Sequence, residues 1–418
     1  MDGVELRNWA GNITFSTERL HRPTSVEELQ ELVASSDRIR ALGSGHSFNR
    51  VADTTGDLVT VRDLAGEVTI DPENRTADVP AGARYGEVTI ALQAQGWALH
   101  NLGSLPHISV AGACATGTHG SGVKNGNLST AARAIEFVRA DGEVVKLSQA
   151  EHPNTFPGAV LSLGALGITT RLTLAIEPTY DVRQHVWLDL PTTNAIEHVD
   201  EITAAGYSVS LFTDWSRPDT IDKVWVKSRD DTDAPAERWG ARLASTPQHP
   251  ITGQDTDAAT EQLGVPGPWN ERLPHFRLAF TPSAGEEQQT EYLLPREHAG
   301  AAIAALRGIA GTIRDALQVC EIRTIAADEL WLSPSHGRDT VALHFTWVDD
   351  DALVHRAVQA IETAIAGFDP RPHWGKVFLM DPAQVRSHYP QLPAFQQLAQ
   401  ECDPNRKLGN AYLERFVY

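Results

Sequence analysis

The stretch Ala41–Arg50, ALGSGHSFNR, limits what this chain can fold into more than any other part of it. Ile39 and Leu42 predict a short strand. Gly43 and Gly45 then strip the following turn of Cβ atoms, so its backbone can fold tightly or lie against a ligand. Ser44 and Ser47 add hydroxyls beside the bared amides, a composition that can cup a phosphate in a nest of N–H donors. His46 stands in the middle, where a turn that only joins two elements has little use for an imidazole. A strand followed by Gly-Ser-Gly is, by itself, also compatible with a plain turn. A second stretch raises the functional reading: Asn101–Gly122, NLGSLPHISVAGACATGTHGSG, is too rich in Gly, Ala and Ser for a packed element and too apolar for a linker. Small residues at that density suggest backbone lying directly against a flat, bulky ligand.

Several familiar ligand loops do not fit. Phe48 stands where a dinucleotide G-x-G-x-x-G would need its last glycine, and the sequence has no G-x-x-x-x-G-K-[ST], G-x-S-x-G or H-E-x-x-H. The histidines lack metal-ligand spacing, so no metal site is expected. What remains is a large, flat, phosphate-bearing ligand between two glycine-rich loops, with a separate polar site. Flavin adenine dinucleotide (FAD) fits both.

At 418 residues, two domains are the expectation. The balance of 35 Lys+Arg against 54 Asp+Glu, −19 overall, argues against nucleic acid or an anionic membrane as partner. Cys114, Cys320 and Cys402 lie far apart and form neither a disulfide framework nor a zinc pattern, which favours a reducing, cytoplasmic setting. The opening MDGVELRNWAGNITF has no basic start before an apolar run, so no signal peptide is expected.

Thr24 or Ser25, with Glu27 and Glu28 behind, predicts a helix start, and Leu29, Leu32 and Val33 its apolar stripe. Short strands are expected over 58–61, 68–70 and 76–79, a helix over 85–95 stopped by Gly96, and a hairpin of 135–139 with 143–147 across Asp141-Gly142. A strand over 169–176 leads to a composition shift near Pro178. Beyond it lies a tryptophan-rich middle, with 228–250 read as surface loop. Ala299–Leu317 has apolar residues at helical spacing, but Arg307 and Arg314 interrupt it and it falls short of a membrane span.

Two runs in this region alternate. In Val319–Ile325, Glu321 and Arg323 share one face. In Val341–Val348, His344 and Thr346 share one face. If the faces coincide, the four make a polar floor in an apolar sheet; otherwise each is a solvent-exposed face with a chance ion pair. Arg371–Lys376, RPHWGK, brings another imidazole and a cation in a Gly-containing bend.

Taken together, ALGSGHSFNR, NLGSLPHISVAGACATGTHGSG and FPGAVLSLGALGITTRLTL resemble the flavin domain of vanillyl-alcohol-oxidase type flavoproteins. EIRT at Glu321–Thr324, HFTW at His344–Trp347 and RPHWGK narrow the resemblance to the sugar-polyol branch, over nearly the whole chain. The resemblance implies an α+β, two-domain PCMH-type FAD-binding fold with a middle cap domain on an antiparallel sheet flanked by helices. It divides the chain into 1–178 for FAD, 179–376 for substrate, and 377–418 returning to the FAD domain. It implies FAD bonded covalently through His46. Ala41, Leu42, Gly43, Ser44, Gly45, Ser47, Ser104, Ser109, Gly112, Thr116, Gly117, Thr118, His119, Ile168 and His373 would line the cofactor. Ser104, Glu321, Arg323 and Thr346 would hold polyol hydroxyls, with Arg323, His344 and Lys376 catalytic; either His344 or Lys376 could accept the proton. The implied reaction oxidises a terminal CH-OH of alditols such as xylitol or sorbitol to the aldehyde and reduces dioxygen to hydrogen peroxide. An aldonolactone oxidase or dehydrogenase is the alternative. The partners expected are a small polyol and dioxygen, and the chain a monomer.

Against the family pattern, Leu408 and Gly409 replace an aromatic and a hydroxyl residue, read as packing variation. Gly103 leaves room beside the flavin, which favours oxygen reactivity. Cys114 lies outside the cysteine motif of doubly linked relatives and is read as a free, buried thiol.

Overall fold

A computed structural model describes residues 5–64, 66–230, 234–280 and 286–418. The chain opens with β1 (Leu20–His21), β2 (Ile39–Ala41) and β3 (Asp57–Val59), a parallel sheet in the order β1-β3-β2. The helix Val26–Ser35 crosses between the first two. Ser25 caps it by accepting from the Glu28 N–H at 3.2 Å, and Leu29 and Val33 are buried on its inner side. The chain continues through β4 (Thr69–Asp71), β5 (Thr76–Pro80), β6 (Trp97–Ala98), β7 (Ala132–Val138), β8 (Val144–Ser148), β9 (Ile168–Ala175) and β10 (Glu177–Pro178). Five of these form an antiparallel sheet ordered β4-β5-β9-β7-β8, while β6 pairs with β10.

The middle contributes β11 (Asp181–Pro191), β12 (Ser208–Thr213), β13 (Thr220–Ser228), β14 (Glu237–Arg238), β15 (Ala241–Leu243), β16 (Gly267–Pro268), β17 (Glu287–Pro295), β18 (Leu317–Ile325), β19 (Thr340–Val348) and β20 (Arg371–Pro372). All but β16, which pairs with β11, run in the order β14-β15-β11-β13-β12-β18-β19-β17-β20. On the apolar side of this sheet Cys320, Ile322, Leu343, Phe345 and Trp347 share a hydrophobic core with Ile303 and Leu306 of helix Ala299–Ile313 and Ile361 of helix Asp351–Ile365. Tryptophans 187, 215, 225, 269, 347 and 374 are fully buried, so the tryptophan-rich middle is packing material. The fold is α+β.

Some element boundaries differ from those read in the sequence. The helix from Ala299 ends at Ile313 rather than Leu317, because Leu317 already pairs with Trp347 as the first residue of β18. The stretch 228–250 is not all loop, since β15 pairs with β11 and β14 with β15; residues 231–233 within it lie outside the described part. The helix expected over 85–95 ends at Gln93, and Gly96 follows at φ +78°.

The C-terminal segment returns to the N-terminal part. Leu408 is buried with Leu29, Val33 and Ile39. Lys407 Nζ donates to the Val33 carbonyl at 2.7 Å. Asn410 Nδ2 donates to the Val51 and Asp53 carbonyls at 3.1 and 2.8 Å. Gly409 is required where it stands: a Cβ there would come within 2.9 Å of the Arg406 carbonyl oxygen.

Candidate active site

A cavity of about 560 Å³ runs between the N-terminal loops and the polar face of the large sheet, a size suited to a large ligand. One wall is the Ala41–Ser47 turn. Arg40 anchors the strand before it, buried and donating to the carbonyls of Leu408 at 2.7 Å and Leu163 at 2.8 Å. The turn and the second loop grip each other reciprocally: Ser44 N donates to Ser109 Oγ at 3.3 Å, and Ser109 N to Ser44 Oγ at 3.1 Å. The glycines keep this wall open. A Cβ on Gly43 would fall 2.5 Å from Ser109 Oγ, and one on Gly112 2.7 Å. Gly45 sits at φ +72°, where a side chain would be strained.

His46 faces the cavity with its ring stacked on Trp9, centroids 4.7 Å apart, and Nδ1 is 3.1 Å from the Ser44 carbonyl. Burial pushes its pKa down to about 4, so the imidazole is neutral. The next residues lock onto the bend that carries Lys376. Phe48 N donates to Gly375 O at 2.7 Å, and Asn49 Nδ2 donates to the carbonyls of Trp374 and Lys376, both at 2.8 Å.

The other wall is built by strand register. Glu321 on β18 pairs with His344 on β19, and His344 pairs with Glu291 on β17, so two carboxylates flank one imidazole across three strands. The polar faces of β18 and β19 therefore coincide, and Glu321, Arg323, His344 and Thr346 all line the cavity. Lys376 completes the cluster: its Nζ lies 2.7 Å from Glu291 Oε2 and 2.6 Å from His344 Nδ1. Arg323 Nη2 donates to Glu291 Oε1 at 2.7 Å, while its Nε is buried with no hydrogen-bond partner. His344 Nε2 is 3.2 Å from Thr346 Oγ1, and Ser104 Oγ reaches Arg323 Nη1 at 3.5 Å.

Charge decides the protonation states. Burial alone would raise the Glu291 carboxyl, but Lys376, His119 and Arg323 outweigh it and hold it well below the usual range. Burial raises Glu321 less than Arg323 and His275 lower it, so it is ionised as well. Burial, then the Lys376 charge, pushes His344 well down. Burial lowers Lys376, with Glu291 pulling it partly back.

Of the residues singled out in the sequence, Gly117 and Ile168 do not line the cavity. Gly117 ends helix Val110–Thr116 at φ +72°, and Ile168 packs with Leu29, Ile39 and Val59. Their neighbours Thr116, Thr118, Gly167 and Thr169 line it instead. The remaining candidates all do. Cys114 is buried in that helix, away from the cavity, with its Sγ 3.8 Å from Tyr85 Oη. Sequence reading passed over Glu291, His275, Lys227 and Trp9. Among the described residues, no group of three His, Cys, Asp or Glu could hold a metal ion, and no helix is long and apolar enough to cross a membrane.

The residues present fit FAD: a cradle that single Cβ atoms would close, in a cavity that also exposes the polar cluster of Glu321, Arg323, His344 and Lys376. Comparison with known proteins agrees. The family described as "FAD binding domain" matches residues 17–148, and that of D-arabinono-1,4-lactone oxidase matches residues 285–416. An alditol oxidase from a Streptomyces species is 51% identical over 97% of both chains. The chain belongs to the alditol oxidase family. An L-gulono-1,4-lactone dehydrogenase from Mycobacterium tuberculosis is more distant, at 28% identity over 98% of both chains. Among solved structures, cholesterol oxidase from B. sterolicum superposes with a TM-score of 0.80 over 99% of this chain and 96% of its own, at 13% identity. That likeness concerns the fold alone, which in this family is the PCMH-type FAD-binding fold.

Proposed function

We propose that this protein is an FAD-dependent oxidase that converts the terminal CH-OH of alditols of the xylitol and sorbitol type to the aldehyde. The observation that carries the reading is the row Glu321–His344–Glu291 with Lys376 against it, at the cavity wall facing the His46 turn. Each hydroxyl of a neutral polyol both donates and accepts. Glu321 offers acceptors, Arg323 offers donors, and Ser104 and Thr346 offer both. The two glycine-rich loops, around Gly43–Ser47 and Ser109–Gly112, would hold FAD, which would supply the hydride acceptor and the reactivity toward dioxygen that yields hydrogen peroxide.

The proton lost by the reacting hydroxyl goes to the His344–Lys376 pair, whose nitrogens lie 2.6 Å apart. Burial lowers both members, and at this spacing they titrate as a unit that takes up the hydroxyl proton. Arg323 and Lys376 provide positive charge beside the developing negative charge, and Glu291 keeps both cations in place. His46, neutral and stacked on Trp9, would be the covalent tether: its unprotonated ring nitrogen would replace a hydrogen of the flavin's ring methyl, a two-electron oxidation for which the bound flavin and then dioxygen would be the acceptors. On this reading residues 1–178 hold the cofactor and 179–376 close over the substrate, with 377–418 bracing the cofactor part. The protein acts as a cytoplasmic monomer.

Turnover of xylitol and sorbitol, compared with galactono-1,4-lactone while oxygen consumption and peroxide are followed, tests the assignment. Polyol turnover with peroxide release is the expected result. The match of residues 285–416 to the D-arabinono-1,4-lactone oxidase family favours a lactone oxidase as second reading, and turnover of the lactone alone would put that reading first. Purified protein without yellow colour would sink both.

A further inference from the structure

Glu321 is held from behind by groups that the reaction itself does not need. His275 Nε2 lies 2.7 Å from Glu321 Oε1, and the His275 ring stands edge-on between Phe212 and Trp225, centroids 5.4 and 5.3 Å away. With the carboxylate ionised, Nε2 must carry the hydrogen, which leaves a lone pair on Nδ1. Lys227 faces that lone pair. Its Nζ lies 3.3 Å from His275 Nδ1, 2.5 Å from the Leu273 carbonyl and 3.0 Å from the Pro274 carbonyl. All three partners accept, so the protonated amine, whose pKa burial lowers to about 7, has its three hydrogens fully used. A buried ammonium with no spare donor is not available to substrate; here it fixes a histidine tautomer. The same short segment also braces the second loop, since the N–H groups of His275 and Phe276 both point at the Ser104 carbonyl, at 3.1 and 3.3 Å. One turn of chain thus connects two of the residues placed around the substrate.

We propose that His275 is a positioning residue: clamped by Lys227, it pins Glu321 Oε1 so that Oε2 is presented to a polyol hydroxyl, and it thereby sets affinity for polyhydroxylated substrates. Glu321 Oε2 has room for that role, because its contact with Arg323 Nε is long, at 3.6 Å. This inference rests on the polyol-oxidase reading above. An unanchored Glu321 can swing between rotamers, so the loss falls on binding that is shared by ground and transition states.

The test uses holoenzyme and steady-state kinetics with xylitol, provided the native enzyme turns it over; failure at that first step counts against the proposed function and leaves the histidine's role to the NMR arm. His275→Phe keeps a ring between Phe212 and Trp225 but removes both nitrogens. It is expected to raise KM at least tenfold with kcat within threefold, and His275→Gln, which restores an N–H toward Glu321, to recover most of the loss. If His275→Phe does not fold, Lys227→Met serves, with a smaller rise in KM. Nitrogen-15 NMR of labelled histidine is a readout independent of activity: the native protein should show His275 as a single neutral Nε2–H tautomer, and Lys227→Met a mixture. An unchanged KM in His275→Phe, an equal fall in kcat and kcat/KM, or an Nδ1–H tautomer in the native protein would overturn the proposal.

Discussion

Glu291 pairs with His344 across adjacent strands, and its two carboxylate oxygens hold separate cations, Arg323 on Oε1 and Lys376 on Oε2, each at 2.7 Å. Glu291 is itself 1% exposed. The two cations proposed to serve the reaction are therefore spaced by one buried carboxylate, and the geometry of the cluster depends on a residue that need not touch substrate.

Replacing that carboxylate by an isosteric amide should be costly. Glu291→Gln leaves two buried cations without their counter-charge, a loss of about 3–5 kcal/mol of stability. Differential scanning calorimetry of the variant checks this. A second effect goes through protonation. Glu291 raises the Lys376 pKa, so its removal lets the His344–Lys376 pair lose its proton at lower pH. The acid limb of the kcat/KM profile should move to lower pH. A limb that stays in place, in a variant that still folds, would remove Lys376 from the proton-accepting pair.

Glu321, Arg323, His344 and Thr346 could be grouped from sequence because each lies in a run whose other face is apolar. Glu291 could not. In β17 the alternate face also carries polar side chains: Gln288, which bonds Asp351, and Thr290, which accepts from Trp347 Nε1. With both faces polar, period-two alternation vanishes although the strand is fully formed. Lys227 and His275 were hidden for a different reason. Their meaning lies in contacts between the end of β13 and a loop far along the chain, which no local pattern encodes. The turn at His46 was legible because glycine and serine at such density report backbone geometry directly, whereas Gly117 and Ile168, placed at the cofactor by resemblance, show that a family likeness does not tell which residues face inward: Gly117 ends a helix and Ile168 opens β9 with its side chain in the core.

His46→Ala should abolish covalent attachment. Native protein precipitated in acid should keep its flavin absorbance, while the variant should release flavin to the supernatant or bind none. Native protein that releases free flavin would refute the tether, whatever the activity.

Gly103 lines the cavity, and a Cβ there would stand 3.7 Å from Thr118 Cγ2 and 3.8 Å from the His119 carbonyl oxygen, ordinary contact distances. Gly103→Ala therefore folds without strain and changes only the space available. Stopped-flow measurements should show flavin reduction by polyol unchanged and reoxidation by dioxygen slowed. Undiminished reoxidation would show that this gap is not the oxygen path.

The buried imidazoles set the acid limit of stability. Burial, the largest influence, lowers His275 to about 4, and burial followed by the Lys376 charge holds His344 and His373 well below the ordinary value. On acidification the unfolded chain takes up these protons first, near pH 6.5, while the folded chain does not until pH falls much further. Stability is thus intact above about pH 6.5 and is lost as pH falls from there toward 4. His275 alone contributes about 3 kcal/mol across that window, at 1.36 kcal/mol per pKa unit. The ionised Glu291 and Glu321 add their own loss only below the ordinary carboxylate range. Thermal unfolding followed from pH 7.5 to 4.5 should show Tm level down to about pH 6.5 and dropping below it, with a shallower slope in His275→Phe. A flat Tm down to pH 5 would mean that these imidazoles are already protonated in the folded protein, and the tautomer fixed by Lys227 would go with it.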